Sequence, residues 1–357
     1  MGIRIAYRKI NGGAELVRLW GDEDVVVVPK KVEGVGLTAI APYAFSSHKD
    51  KEDEDVSLWE AGEEETIFGR TACLRCGGNV REIHLPETVQ MIGNYAFYGC
   101  MNLQVFHVTD RVTRMGSGVF TGCRLSRVAI DFYDGEKSCL KEILTEIRYR
   151  ITATLHFGCQ SIRENNIMGK DSAAKEGYMR NAAECAGILA KVVFPEYYAD
   201  AVENTPARIV ETHYYGSGGD YRECFYRREL DFLKYDSMFA LSAARDHGEV
   251  TALLALGRLL YPYRLSEKAR ARYEAYVKAH MGDITEYCLE YLREGGQLPV
   301  AEPLKVIDFC CREHYYTEET LAEAIEKTAK ERQMEMLSVL MDERYRQFPK
   351  KKKKFEL

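Results

Sequence analysis

The sequence predicts an α+β protein: a short β-solenoid of stacked repeats, an α/β cap region, and a C-terminal α-helical hairpin repeat domain. Two observations carry that expectation. Residues 80–130 state nearly one pattern twice, with Phe97 and Phe120, and Cys100 and Cys123, each 23 residues apart. Repeats of roughly 20–29 residues with apolar residues at fixed places mark a solenoid, because each copy is too small to bury its apolar side without a stacked neighbour. From about Tyr235 onward the apolar spacing changes to the i, i+3, i+4 pattern of helices.

Taken in order, residues 2–24 read as a β-hairpin, two alternating segments around the turn signal Asn11, Gly12 and Gly13. A looser copy of the repeat follows: Val25, Val26, Val27, Val28 and Pro29, then Val32, Leu37, Ile40, Tyr43, Ala44 and Phe45. Four consecutive valines suggest a strand buried on both faces, and residues 33–36 suggest a bulge at a corner. Phe45 and Phe97 are 52 residues apart, more than two repeats. Residues 46–78, with acidic runs at 50–55 and 63–65, are therefore expected as a solvated insertion, with a degenerate rung near residues 65–68 left open. In three successive strand segments, Val80, Ile83 and Leu85, Leu103, Phe106 and Val108, and Leu125, Val128 and Ile130 are expected to point inward. Phe45, Phe97 and Phe120 should stack as an aromatic ladder. Gly93 and Gly116 should mark backbone bends that need no side chain.

A strand followed by Pro, Val, Ile, Ala-Phe and Cys resembles the BspA-type leucine-rich repeat. The matching residues are Pro29, Ile40, Ala44 and Phe45; Pro86, Val89, Ile92, Gly93, Ala96, Phe97 and Cys100; and Val112, Met115, Gly116, Phe120 and Cys123. Thr109 stands where that pattern has proline, and Val119 where it has alanine. The resemblance implies a leucine-rich-repeat solenoid over residues 1–133, carrying the insertion 46–78. Some relatives of that family lie on cell surfaces, which keeps an adhesin as one alternative.

Residues 134–234 are expected to form an α/β cap or bridge, since an uncapped solenoid end exposes apolar surface and free strand edges. A helix running into a strand is expected over 138–157, a helix over 175–190, and strands over 191–194 and 208–215. Gly216, Gly218 and Gly219 suggest a flexible loop. Residues 235–348 read as helical hairpins: units at 236–260, 266–292 and 317–342, with an extra helix at 303–315. They bear a weaker resemblance to ankyrin-like repeats. Residues 349–357 form a basic tail with Lys350, Lys351, Lys352, Lys353 and Lys354.

A net charge of −6 argues against nucleic acid as the partner of the whole chain, leaving only the basic tail for anionic partners. No apolar run reaches the roughly 18 residues of a membrane span. The odd count of 11 scattered cysteines suits free, buried thiols in a reducing compartment, so a cytoplasmic location is expected. Cys73 and Cys76 have the spacing of half a zinc knuckle, but no second half follows, and neither a metal nor a cofactor is expected. His84 and His107 share one outward column on neighbouring rungs about 4.8 Å apart, close enough to share a ligand, a metal or a proton. The blander expectation is a mixed, shallow binding face made of Arg81, Glu82, His84, Gln104, Val105, His107 and Arg127.

These features point to a non-enzymatic scaffold that binds a protein or peptide, with no small-molecule substrate evident and no catalytic residue assigned. An enzyme with a site around His156, His213 and Cys224 is the alternative from another class. Cys159 is a second thiol to weigh there against His213.

Overall fold

Turn chemistry and strand alternation lay down the first layer. The computed structural model describes residues 3–21, 23–46, 55–61, 73–74, 80–133, 135–157, 190–204, 209–296 and 298–349. β1 (Ile3–Ile10) and β2 (Gly13–Gly21) pair antiparallel around Asn11 and Gly12. Gly12 sits at φ +92°, a conformation open to glycine at no steric cost.

β3 (Val25–Val27) corrects the expectation for the four valines. Val26 and Val28 are buried, but Val27 is 60% exposed. The reason is that this sheet covers the core with one face only, so alternate residues of β3, as of its neighbours, face outward. Residues 33–36 are not a bulge either. β4 (Lys31–Val32) and β5 (Val35–Ile40) close a tight antiparallel hairpin whose two turn residues, Glu33 and Gly34, both have positive φ. That is the backbone a two-residue hairpin of matching twist requires.

Within the insertion, β6 (Ser57–Ala61) pairs antiparallel with β1 and β7 (Cys73–Leu74) with β2. The candidate rung near residues 65–68 lies outside the described residues. The chain then rejoins the stack directly. β3 and β8 (Glu82–His84) are parallel neighbours, and β9 (Met91–Ile92) lies parallel to β5. β10 (Val105–Thr109), β11 (Arg114–Met115) and β12 (Arg127–Phe132) repeat the arrangement one rung on. The rungs thus form two parallel walls, β3-β8-β10-β12 and β5-β9-β11.

The nine inward residues expected from strands and their approaches are all buried. Phe45 packs on Phe97 at 5.1 Å between ring centroids, and Phe97 stacks on Phe120 at 5.4 Å. Phe106 fills the gap edge-on against both Phe97 and Phe120. Cys100 and Cys123 repeat one contact: each thiol donates to a carbonyl of the rung before, Phe45 O at 3.4 Å and Phe97 O at 3.1 Å.

Gly93 and Gly116 recur for a reason other than bending, since neither has a positive φ. A Cβ on Gly93 would meet the backbone at Ala41 and Pro42, and one on Gly116 would meet Asn94. These are the points where successive rungs touch backbone to backbone. The left-handed position lies just beyond, at Tyr43 (φ +59°), Tyr95 (φ +56°) and Gly118 (φ +67°). Tyr43 and Tyr95 stack at 5.2 Å, and the Tyr95 ring occupies the space a side chain on Gly118 would need.

Along the stack each turn donates backbone N–H groups to the next, as in Phe45 N to Ala96 O and Phe97 N to Val119 O. At the following turn the chain forms helix α1 (Leu140–Glu146) instead. The Glu146 carboxylate receives the N–H of Val119 at 3.1 Å and of Phe120 at 2.8 Å. One acidic side chain thus does for the last turn what a further rung's carbonyls would do. β13 (Ile151–Phe157) continues the parallel wall next to β12, with Phe132 stacked on Phe157 at 4.4 Å.

β14 (Ala190–Phe194) is followed by β15 (Tyr198–Asn204) and β16 (Ile209–Tyr215), an antiparallel pair of which only the second strand was read from sequence. The helix expected over 175–189 lies outside the described residues. The glycine-rich segment after β16 is not a flexible loop. Ser217 and Gly218 are buried, and Gly218 opens the short helix α2 (Gly218–Arg222). Its packing reason is Arg222, a buried guanidinium among carbonyls. It donates to Leu144 O, Ile147 O, Tyr149 O, Pro195 O and Gly218 O, at distances between 2.6 and 3.1 Å. Burial pulls its pKa down to about 10. β17 (Phe225–Tyr226) and β18 (Glu229–Leu230) form a last hairpin.

The chain divides into two compact units, the second comprising residues 190–193 and the chain from Phe232 onward. This second unit is helical: α3 (Phe232–Ser237), α4 (Phe239–Arg245), α5 (Gly248–Leu260), α6 (Glu267–Ala279), α7 (Met281–Arg293), α8 (Pro303–Arg312), α9 (Glu318–Lys330) and α10 (Met334–Gln347). Ser266 and Thr317, which open matching units in the sequence, both cap a helix through the side-chain oxygen, accepting from Ala269 N and Thr320 N. The core of this unit holds a fully buried ion pair. Arg258 binds both Asp236 carboxylate oxygens, at 2.8 and 3.0 Å, and Tyr273 donates to the same carboxylate at 2.8 Å. Bidentate geometry and the added hydroxyl supply what a buried pair needs to offset desolvation. Residues 190–193 join the unit through Val193, which exchanges hydrogen bonds with the Tyr235 hydroxyl.

Candidate functional site on the strand face

On a parallel sheet in register, every second residue of each strand faces out, and equivalent residues form ranks across the strands. One rank runs Val25, Glu82, Val105, Arg127, Thr152. The next runs Val27, His84, His107, Ala129, Thr154. A third brings Thr109, Asp131 and His156 together.

The structure brings three of the seven expected residues into direct contact. His84 Nε2 lies 2.7 Å and His107 Nε2 3.3 Å from the same oxygen, Glu82 Oε1. The two imidazoles stack with centroids 3.9 Å apart and planes 11° apart. Burial, and then the neighbouring His84, lower the pKa of His107, while Glu82 and Asp131 oppose that shift. Arg81 stands beside the cluster, donating to Asp24 at 2.8 Å and lying 3.8 Å from the other Glu82 oxygen. Gln104 and Arg127 are exposed on the next rungs. Val105 is only 7% exposed, a short side chain in a rank between the longer Glu82 and Arg127, so it offers little area to a partner.

Two residues of the face were missed as part of it. His156 Nδ1 lies 2.6 Å from Asp131 Oδ1, two positions along the strands from the His84 rank and on the same side. The signal was present in the alternation of residues 149–157, which places Thr154 and His156 on this side once β13 is read as another rung, with Thr152 of the same alternation buried.

The alternative site is described only in part, since the His213 side chain lies outside the described residues. Cys224 is fully buried, its thiol directed at Asp220 O at 3.5 Å, and His156 is engaged by Asp131. His213 pairs with Asp200 in the strand register. Cys159, Cys76, the side chain of Cys73 and the tail lysines at 350–354 lie outside the described residues.

One family model agrees with this geometry. Residues 66–169 match the family model described as BspA type leucine rich repeat region, in six copies. A repeat region of this class is what the stacked parallel rungs build. The rung at Val25–Phe45 lies outside the matched stretch, as does the whole helical unit. Among solved structures, a leucine-rich repeat protein of T. pallidum (TpLRR) is similar at 19% identity, over 35% of this chain and 68% of that one, with a TM-score of 0.20. No curated protein matches. No helix among the described residues is long and apolar enough to cross a membrane.

Proposed function

We propose that this protein is a non-enzymatic, cytoplasmic scaffold that holds a protein or peptide partner on the outward face of β8, β10, β12 and β13. The observation that carries the reading is the set of ranks on that face. Glu82, His84, His107, Arg127, Asp131 and His156 alternate in charge type across backbone that is hydrogen-bonded strand to strand. Side chains fixed by a rigid sheet lose little freedom on binding, and mixed charge selects a complementary partner more than it adds raw affinity. Repeat arrays offer long shallow surfaces of this kind. The helical hairpins, read as an ankyrin-like array, extend the same scaffold logic to the C-terminal unit. Buried free thiols are consistent with a reducing compartment.

The test is capture from native lysate on the immobilised full-length chain, with Arg127→Glu and Gln104→Lys as comparison baits. A partner retained by the native chain and reduced at least about tenfold by Arg127→Glu supports the reading. Identical capture by all three baits removes this face from consideration.

A further inference from the structure

From the side chains that face out of β8 and β10 we infer that Glu82, His84 and His107 form a binding site for one late first-row divalent transition ion, of the zinc class. Each contributes one ligand atom, and these atoms all lie within 4.8 Å of one another. Bonds of about 2.0–2.1 Å in a tetrahedral site put ligand atoms roughly 3.3 Å apart. The 3.3 Å from Glu82 Oε1 to His107 Nε2 is of that size, and the 2.7 Å to His84 Nε2 is a hydrogen bond that must open to admit an ion.

The ligands are carried by parts of the chain that cannot easily spread. Glu82 and His84 lie two residues apart on one strand, and so on one face. His107 is the register partner of His84 on the adjacent strand. The backbone around them is tied across three strands, with Val28 N donating to His84 O at 3.0 Å and Leu85 N to His107 O at 2.9 Å. The backbone is preorganised, which lowers the entropic cost, while the two stacked imidazoles, 11° apart in plane, turn so that both ring planes meet at the ion.

The donor set decides the class of ion. Two imidazoles and one carboxylate suit zinc, copper, nickel or cobalt; calcium and magnesium favour all-oxygen shells. All three side chains retain partial exposure, 20% for Glu82, 33% for His84 and 35% for His107, so the fourth position faces solvent and takes water. Arg81 lies on the far side of the carboxylate, near Oε2, and leaves Oε1 to the imidazole side. The 23-residue period of the repeat sets His84 beside His107, and the strand register adds Glu82 to the pair.

The experiment uses the untagged full-length chain, stripped with chelator and titrated with zinc chloride against a chromophoric competitor. It should bind one equivalent at this site, and cobalt should give the visible absorption of a four-coordinate nitrogen–oxygen site. His84→Gln, His107→Gln and Glu82→Gln should each weaken zinc binding at least about tenfold. The Cys73→Ser, Cys76→Ser double variant should leave it unchanged. Circular dichroism of each variant confirms that the fold is retained. Absence of zinc binding, binding indifferent to the two histidine variants, or binding lost with the cysteine pair each overturns the inference. Because no partner enters the titration, its failure leaves the scaffold reading standing, and failure of lysate capture leaves the metal site standing.

Discussion

At the scale of single residues, the groups that hold the first unit together are polar ones placed where backbone has run out of partners. Arg222 is the clearest. Its guanidinium gathers carbonyls from the end of α1, from Tyr149, Pro195 and Gly218, and lies over the Tyr197 ring at 4.9 Å. A cation at the C-terminal end of a helix also meets the negative end of the helix dipole. Replacing it with leucine strips donors from several buried carbonyls at once. Arg222→Leu should cost about 3–5 kcal/mol in urea unfolding. Arg222→Lys should recover only part of that, because an ammonium cannot span carbonyls spread around a planar fork. Full stability in Arg222→Lys would show that charge alone, and not geometry, is what the site needs. Nothing in the sequence singled out this residue; an arginine after a glycine cluster looks like any surface arginine until the carbonyls around it are known.

At the scale of elements, rung and cap follow one rule: every turn gives its N–H groups to whatever lies next. Rungs at Phe45 and Phe97 find carbonyls, and the rung at Phe120 finds Glu146. The repeat was legible because Phe, Cys and Gly recur at fixed spacing, and those residues stack as the spacing requires. The cap was legible only as a need. Which residue meets it depends on α1 arriving with Glu146 in its last turn. Glu146→Ala should lower stability by about 1–3 kcal/mol, the cost of leaving buried donors unpaired. Glu146→Gln, which keeps one acceptor oxygen, should lose less. Equal losses in the two variants would argue that the carboxylate charge, rather than its acceptor geometry, supports the turn. The four-valine segment and residues 33–36 were misread for a related reason. Composition alone does not say whether both faces of a strand are covered, or whether four residues make a bulge or a tight hairpin.

At the scale of the whole molecule, both units bury sulfur as if it were hydrocarbon. Cys100, Cys123, Cys139, Cys224, Cys288, Cys310 and Cys311 are free and buried. Burial pushes Cys139 and Cys311 up to about 12 and raises Cys123, Cys288 and Cys310 as well. A thiol is nucleophilic only as thiolate, so these groups are inert in the native state at ordinary pH. Iodoacetamide at pH 8 should leave all seven unmodified in the folded protein and modify them in urea, as read by peptide mapping. Native-state modification of Cys100 or Cys123 at the rate of free cysteine would contradict the packed rungs.

The sequence by itself determined that the first part of this chain stacks and the last part is helical, because periodic burial leaves its period in the order of the residues. It also determined which side chains face outward, since alternation along a strand is a local property. Repeat spacing also set His84 beside His107, and only the tertiary structure decided which further outward residues meet. Register across strands brings His84 and His107 onto one Glu82 oxygen and pairs Asp131 with His156. β3 and β8, which the stretch 46–78 separates in sequence, are direct parallel neighbours, so adjacency of those two rungs had to come from folding. Contacts between segments far apart in the chain depend on loop closure and packing, and no window of sequence contains that information.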